Sequence, residues 1–224
     1  MKVYVGQTRS RKLLEELSDL GFGEMTVRGE YPPYRRPWAY DNGAFRDYSA
    51  EKPFNETTFE FEIQKMAMSV AHPPPDFIIL PDIVAGGLES LMLSVSWVPK
   101  VMSLWTPNRP LPPLYLAVQD GMEFGVVESY LHIHEIGGLF VGGSTEWKEK
   151  TGSRWCDLAH DNYKLCHIGR VGTPGRVAWG FHAGADSVDS CFPLWTEERM
   201  AEFVRAFRAL FPPQQAPLPG FEGA

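Results

Sequence analysis

Residues 114–143, LYLAVQDGMEFGVVESYLHIHEIGGLFVGG, decide the fold. An apolar run at 114–118 meets the polar turn Gln119-Asp120-Gly121, an amphipathic stretch covers 123–134, and a second apolar run at 139–141 ends in two glycines. A short apolar run, an amphipathic stretch of helical period and a second short run make a strand–helix–strand unit. The same unit recurs outward in both directions. Periodicity predicts strands at 3–5, 24–27, 38–40, 77–80, 114–118, 139–141, 165–168 and 187–188, and helices at 11–20, 56–71, 88–104, 123–134, 146–162, 174–183 and 196–210. Residues 28–37 contain Pro32, Pro33, Arg35 and Arg36 and are incompatible with a helix.

Eight strands, mostly followed by helices, predict an α/β fold of the compact single-domain (β/α)8 TIM-barrel type over residues 1–211, with 212–224 a loose Pro/Gly-rich tail. An open nucleotide-binding sheet would call for GxGxxG after the first strand; VGQTRSRK offers only Gly6. The composition of the 224 residues fits one folded domain: 44% are hydrophobic and 13% aromatic, ample for a core. No apolar run is long enough for a transmembrane helix, and MKVYVGQTRSRK places charge where a signal peptide needs apolar residues, so a cytoplasmic location is expected. Cys156, Cys166 and Cys191 form no CxxC and are too few for a disulfide framework; each is expected to be a buried small hydrophobe. The net charge of −7 counts against holding nucleic acid by bulk charge and confines such binding to local basic loops.

In a TIM barrel the chemistry sits at the C-terminal ends of the strands. The third strand delivers Asp41, the fourth Asp82, the fifth Gln119 and Asp120, the sixth the backbone of Gly142 and Gly143, and the eighth Asp186 or Asp189. A single acid after a strand caps the next helix as readily as it does chemistry. Several converging on one mouth crowd like charges, which costs stability unless the chemistry uses them. Two carboxylates on a shared cavity suffice for double displacement at a sugar carbon, one as nucleophile and one as acid/base. Glycines let a flat ligand approach the backbone, and an amide matches the donor and acceptor edge of a heterocycle.

These segments resemble, in order, those of the tRNA-guanine transglycosylases. YDNGAF resembles that family's DSGGF, PDIV falls where the family has a substrate-binding Asp, AVQDG resembles VQGG, and GLFVGGS resembles GLAVGE. IGRVGTPGRVAWGFHAGADSVDSCFP resembles the stretch from a GVGTP turn to a GVDMFDCVMP strand. The resemblance implies a TIM barrel. It makes Asp189 the nucleophile on the nucleoside C1′ and Asp41 the acid/base, and puts Asp82, Gln119, Gly142 and Gly143 on the edge of guanine or a 7-deazaguanine. The chain departs from the family at Ala44 and Asp120, each standing where a Gly is expected. The family's tRNA enzymes carry a Cys3His zinc site after the nucleophile strand; only Cys191 follows Asp189 here, so no catalytic metal, zinc module or redox cofactor is expected. That pattern is similar to the short DpdA-type branch of phages and bacteria, which places 7-cyano-7-deazaguanine or a relative in DNA. The implied reaction is a pentosyltransferase exchange of guanine in DNA, rather than tRNA, for a 7-deazaguanine base, in the host cytoplasm if phage-encoded. A partner protein or a homodimer is compatible with it. A glycosidase passing the intermediate to water and a non-catalytic subunit of a transglycosylase complex are the alternatives.

Phe45, beside Asp41, is the expected stacking partner of a base. Phosphate contacts are expected from Arg35 and Arg36, from Lys148, Lys150 and Arg154, and from Arg170. His132-Ile-His134 has the HxH form of some metal-dependent barrels, but in a helix residues i and i+2 point apart, so surface histidines are expected.

Overall fold

The computed structural model describes residues 1–30 and 37–211. Eight parallel strands close on themselves: β1 (Lys2–Val5), β2 (Gly23–Val27), β3 (Trp38–Asp41), β4 (Ile78–Ile79), β5 (Leu114–Val118), β6 (Ile136–Val141), β7 (Leu165–Ile168) and β8 (Ser187–Ser190), with β8 paired to β1. The outer ring among the described residues is α1 (Arg11–Asp19), α2 (Ala44–Ser49), α3 (Glu56–Met68), α4 (Gly87–Leu104), α5 (Phe124–Glu128), α6 (Thr145–Asp161), α7 (Pro174–His182) and α8 (Glu197–Leu210). The chain is a compact (β/α)8 TIM barrel. No helix of the described residues is long and apolar enough to cross a membrane.

Alternation along each strand sorts the side chains into two cores. Outward-facing Val3, Val5, Leu114, Leu116, Val118, Leu139, Val141 and Val188 pack under the helices, and burying each aliphatic side chain stabilises by about 1.5–3 kcal/mol. Inward-facing Tyr4, Met25, Ala39, Phe77, Ile79, Tyr115, Ala117 and Phe140 fill the barrel. Phe77 stacks on Tyr115 with ring centroids 4.2 Å apart, and Phe140 stacks on His167 at 5.3 Å. Small residues on neighbouring strands make the room: a Cβ on Gly138 would lie 2.5 Å from the Leu165 carbonyl oxygen and 2.6 Å from the Tyr115 ring.

Helix starts follow ordinary capping chemistry, with Ser10, Asn55, Ser144 and Thr196 accepting from backbone N–H groups of the first turns of α1, α3, α6 and α8. The predicted helix at 123–134 is shorter in the structure. After α5 the chain runs through i→i+3 bonds, Tyr130 N to Val127 O and Ile133 N to Tyr130 O, before β6 begins at Ile136. His132 and His134 therefore sit in turns, both exposed. Residues 44–49 form a helix that periodicity does not predict, since six residues are too few to show a period. Cys156 and Cys166 are buried, their sulfurs 3.1 Å apart, whereas Cys191 is exposed, contrary to expectation. Arg35 and Arg36 and the tail at 212–224 lie outside the described residues.

Candidate active site

Asp41 is the last residue of β3, and the turn after it is built by side chains. Asp41 Oδ1 accepts from Gly43 N at 2.7 Å, and Asn42 Oδ1 accepts from Ala44 N at 2.7 Å. Gly43, at φ +77°, lets the chain reverse into α2, which carries Phe45 to the mouth. Buried Asn42 also donates through Nδ2 to the Leu80 carbonyl (2.6 Å) and to Asp82 Oδ1 (2.8 Å), so one amide ties β3 to the loop after β4 and fixes Asp82. Both carboxyls are raised. Burial pushes Asp82 up to about 6; the Asn42 bond opposes this and nearby Asp41 adds to it. Burial likewise raises Asp41, against the Gly43 N–H bond and with a further push from Asp189.

The raised Asp82 value fixes a pH dependence of stability. A carboxyl whose folded-state value lies at about 6, above the ordinary 3.8, imposes no penalty below about pH 4 and its full penalty above about pH 6. Asp82→Asn is therefore expected to stabilise the fold by about 1–3 kcal/mol at pH 7.5, a gain that vanishes near pH 4. Denaturant melts of the two proteins at both pH values measure it, and a gain of equal size at pH 4 would contradict the assignment.

Asp189 stands in β8 rather than after it, because the strand runs on to Ser190. Inward-facing Ser187 and Asp189 flank His167 of β7: His167 Nδ1 is 2.8 Å from Ser187 Oγ, and His167 Nε2 is 3.0 Å from Asp189 Oδ1. Asp189 Oδ1 also accepts from Arg170 N at 3.0 Å, so both bonds fall on one oxygen and the other has no partner among the described residues. Fully buried His167 is a site residue that the sequence reading does not include. Its signal is a polar residue at an inward position of the apolar run LCHI.

Asp41, Asp82, Phe45, Gly142, Gly143 and Arg170 line one inner pocket of about 50 Å³, floored by Ile79, Ala117 and Phe140. An outer cleft of about 580 Å³ shares Phe45, Gly143 and Arg170 with it and adds Asp120, Ser144 and Lys148. Gly143, at φ +71°, has no room for a side chain: a Cβ would lie 2.5 Å from Asp120 Oδ2. Asp120 accepts from Ser144 N (2.7 Å) and Ser144 Oγ (2.6 Å) and so braces the start of α6. Burial works to raise its carboxyl, but the Ser144 bonds outweigh this and hold it below the usual range.

Several candidates sit differently from expectation. Gln119 is buried with its amide fully engaged: Oε1 accepts from Ala85 N (2.6 Å), while Nε2 donates to Ile83 O (2.7 Å) and Ser90 Oγ (2.6 Å). It shapes the loop after β4 and has no donor left for a base edge. Lys148 is buried on the inner stripe of α6, donates to Gly169 O at 2.5 Å, and is pushed down to about 8 by burial and by the nearby Arg170 charge. It is thus a buried cation at the wall of the outer cleft, bonded to backbone, rather than an exposed one. Lys150 pairs with Glu146 on the exposed face of α6, and Arg154 lies over the Phe124 ring; neither lines the mouth pockets. Asp186 is at the opposite end of β8, bonded to His160 and to Cys166 N. Of the expected cations that are described, Arg170 is the one that lines the inner pocket, its guanidinium 3.8 Å from the Phe45 ring centroid.

Arg28, just past β2, is buried and pairs with Asp47 of α2, donates to Asn55 O and lies over the Phe54 ring. Those contacts hold in place the short helix that presents Phe45. Among the described residues no group of three or more His, Cys, Asp or Glu is arranged to hold a metal ion. Asp189 is not among the residues that line either pocket, but it lies close enough to Asp41 to push that carboxyl up; the site therefore offers two pocket-lining acids with a raised affinity for their protons, Asp41 and Asp82, and beside Asp41 a third acid oriented through one oxygen. Comparison with known proteins found no family model and no curated protein that matches this chain.

Proposed function

We propose that the chain is a base-exchange transglycosylase, a pentosyltransferase that replaces guanine in a nucleic acid by a 7-deazaguanine such as 7-cyano-7-deazaguanine, through a glycosyl–Asp189 intermediate. The observation that carries this reading is the division of labour at the mouth. His167 and Arg170 N hold Asp189 by one oxygen, the other having no partner among the described residues, and burial keeps a proton on Asp41 more readily than on an ordinary aspartate. In the first half, the free Asp189 oxygen forms a bond to C1′, the C1′–N9 bond breaks, and its electron pair leaves with guanine, which takes a proton from Asp41. In the second half, the incoming base gives its N–H proton to the Asp41 carboxylate and its nitrogen displaces Asp189 from C1′. One C–N bond replaces another, so the cycle calls for no redox step or external energy source.

Phe45 offers a stacking wall for the base, and Asp82 and the Gly143 carbonyl offer acceptors for its N–H donors. Gln119 also lines the pocket, where its donors are spent on Ile83 O and Ser90 Oγ and only Oε1 is left to accept from a base. DNA is favoured over tRNA because the sequence resembles the branch without the zinc module. Only Arg170 among the described candidate cations lines the inner pocket, so polymer binding is expected to be weak and salt-sensitive, or supplemented by a partner protein or a second copy.

The test is incubation of the protein with duplex DNA, single-stranded DNA or tRNA and a labelled 7-deazaguanine. Label retained in DNA supports the reading. Guanine released without label uptake makes the chain a glycosidase, and label retained only in tRNA reassigns the polymer.

A further inference from the structure

The inner pocket is bordered by a guanidinium stacked on an aromatic ring. Arg170, with its backbone at φ +51°, lays its guanidinium over Phe45 at 3.8 Å from the ring centroid and donates through Nη2 to the Gly143 carbonyl at 3.2 Å. Its backbone N–H meanwhile holds Asp189 Oδ1 at 3.0 Å. Phe45, Gly143 and Arg170, together with Val84 and Gln119, line both the 50 Å³ pocket and the 580 Å³ cleft, so this stack stands where the two meet. The positive charge lies close enough to Asp41 and Asp82 to favour their ionised forms.

A guanidinium is a flat array of N–H donors that stacks on aromatic faces. The N1–C2–N2 edge of guanine is a guanidine too, with its donors in one plane. We propose that Arg170 is an internal stand-in for that edge: its guanidinium occupies the seat on Phe45 and the Gly143 carbonyl that the substrate base takes over, and the base reaches the inner pocket by displacing it. This inference rests on the proposed guanine chemistry and assigns to that site a specificity device. A planar ligand with a guanidine-like donor edge recovers both contacts that Arg170 gives up and keeps a second coplanar N–H for the acceptors of the inner pocket, whereas adenine has only its N6 amino group to divide between them. The main chain of Arg170 stays bonded to Asp189 while the side chain swings out into the cleft.

Calorimetric titration with guanine tests this on the full chain, comparing the wild type with Arg170→Ala, Arg170→Lys and Phe45→Ala. The competing stack and hydrogen bond are together of a size to weaken base binding about 5- to 30-fold. Arg170→Ala is therefore expected to bind guanine that much more tightly, Arg170→Lys to tighten in the same direction because it lacks the planar fork, and Phe45→Ala to bind more weakly. Millimolar guanidinium ion is expected to compete with guanine on Arg170→Ala and not on the wild type. Guanine binding that is unchanged or weaker in both Arg170 variants overturns the stand-in and leaves the transglycosylase reading in place. No guanine binding by the wild type or any variant overturns that reading and this inference with it.

Discussion

Asp189→Asn is expected to slow guanine exchange by at least about 10⁴-fold while leaving the fold intact, the scale on which covalent enzymes lose activity when their nucleophile is removed. The substitution is nearly isosteric, and the Asn oxygen can still accept from His167 Nε2 and Arg170 N at the places Asp189 Oδ1 does now. What disappears is the negative charge that attacks C1′ and stabilises the oxocarbenium-like transition state. Exchange of labelled guanine into an oligonucleotide measures the loss, and melting curves establish that the variant folds. A rate within tenfold of the wild type would mean that another group attacks, and Asp189 would revert to a residue that orients His167.

Arg28→Ala is expected to cost about 3–5 kcal/mol of stability, because it leaves the carboxylate of Asp47 without its buried partner. The Asp47 side chain is only 15% exposed and then has, among the described residues, just the Asn55 N–H at 3.2 Å. The stack on Phe54 and the bond to Asn55 O go as well. Replacing both charges, as Arg28→Met with Asp47→Leu, is expected to recover most of the loss, since no unpaired charge remains. Urea unfolding of the single and double variants decides this; a single variant within about 1 kcal/mol of the wild type would show that water reaches Asp47 readily. Because Asp47 belongs to the helix that carries Phe45, the single variant should also bind guanine more weakly.

Much of the barrel was legible because its strands bury apolar residues on both faces. Runs such as LYLAV and LCHI stand out, and both match the observed β5 and β7 to the residue. β8 reads SVDS, with polar residues facing inward at 187 and 189, so its periodicity fades two residues early and Asp189 looked like a loop residue. Asp41 and Asp82 reach the mouth by the strand-end rule alone. The partners that orient them were not legible, since Asn42 meets Asp82 across 40 residues and His167 meets Asp189 across 22. Lys148 carried a signal that counting charges overrides: with Gly152, Trp155 and Ala159 it lies on the i, i+4, i+7, i+11 stripe that α6 turns inward. Gln119 shows the converse limit, since an amide at a strand end looks free until the loop that consumes its hydrogen bonds is in place.

Peptide mapping of the trapped intermediate tests the central claim most directly. The protein is mixed with a guanine-containing oligonucleotide, quenched by denaturation before an acceptor base is added, digested and weighed by mass spectrometry. Guanine is expected in solution in equal amount to a pentose-linked fragment on the peptide containing Asp189. Guanine released with no covalent fragment, or a fragment carried by any other residue, would contradict it.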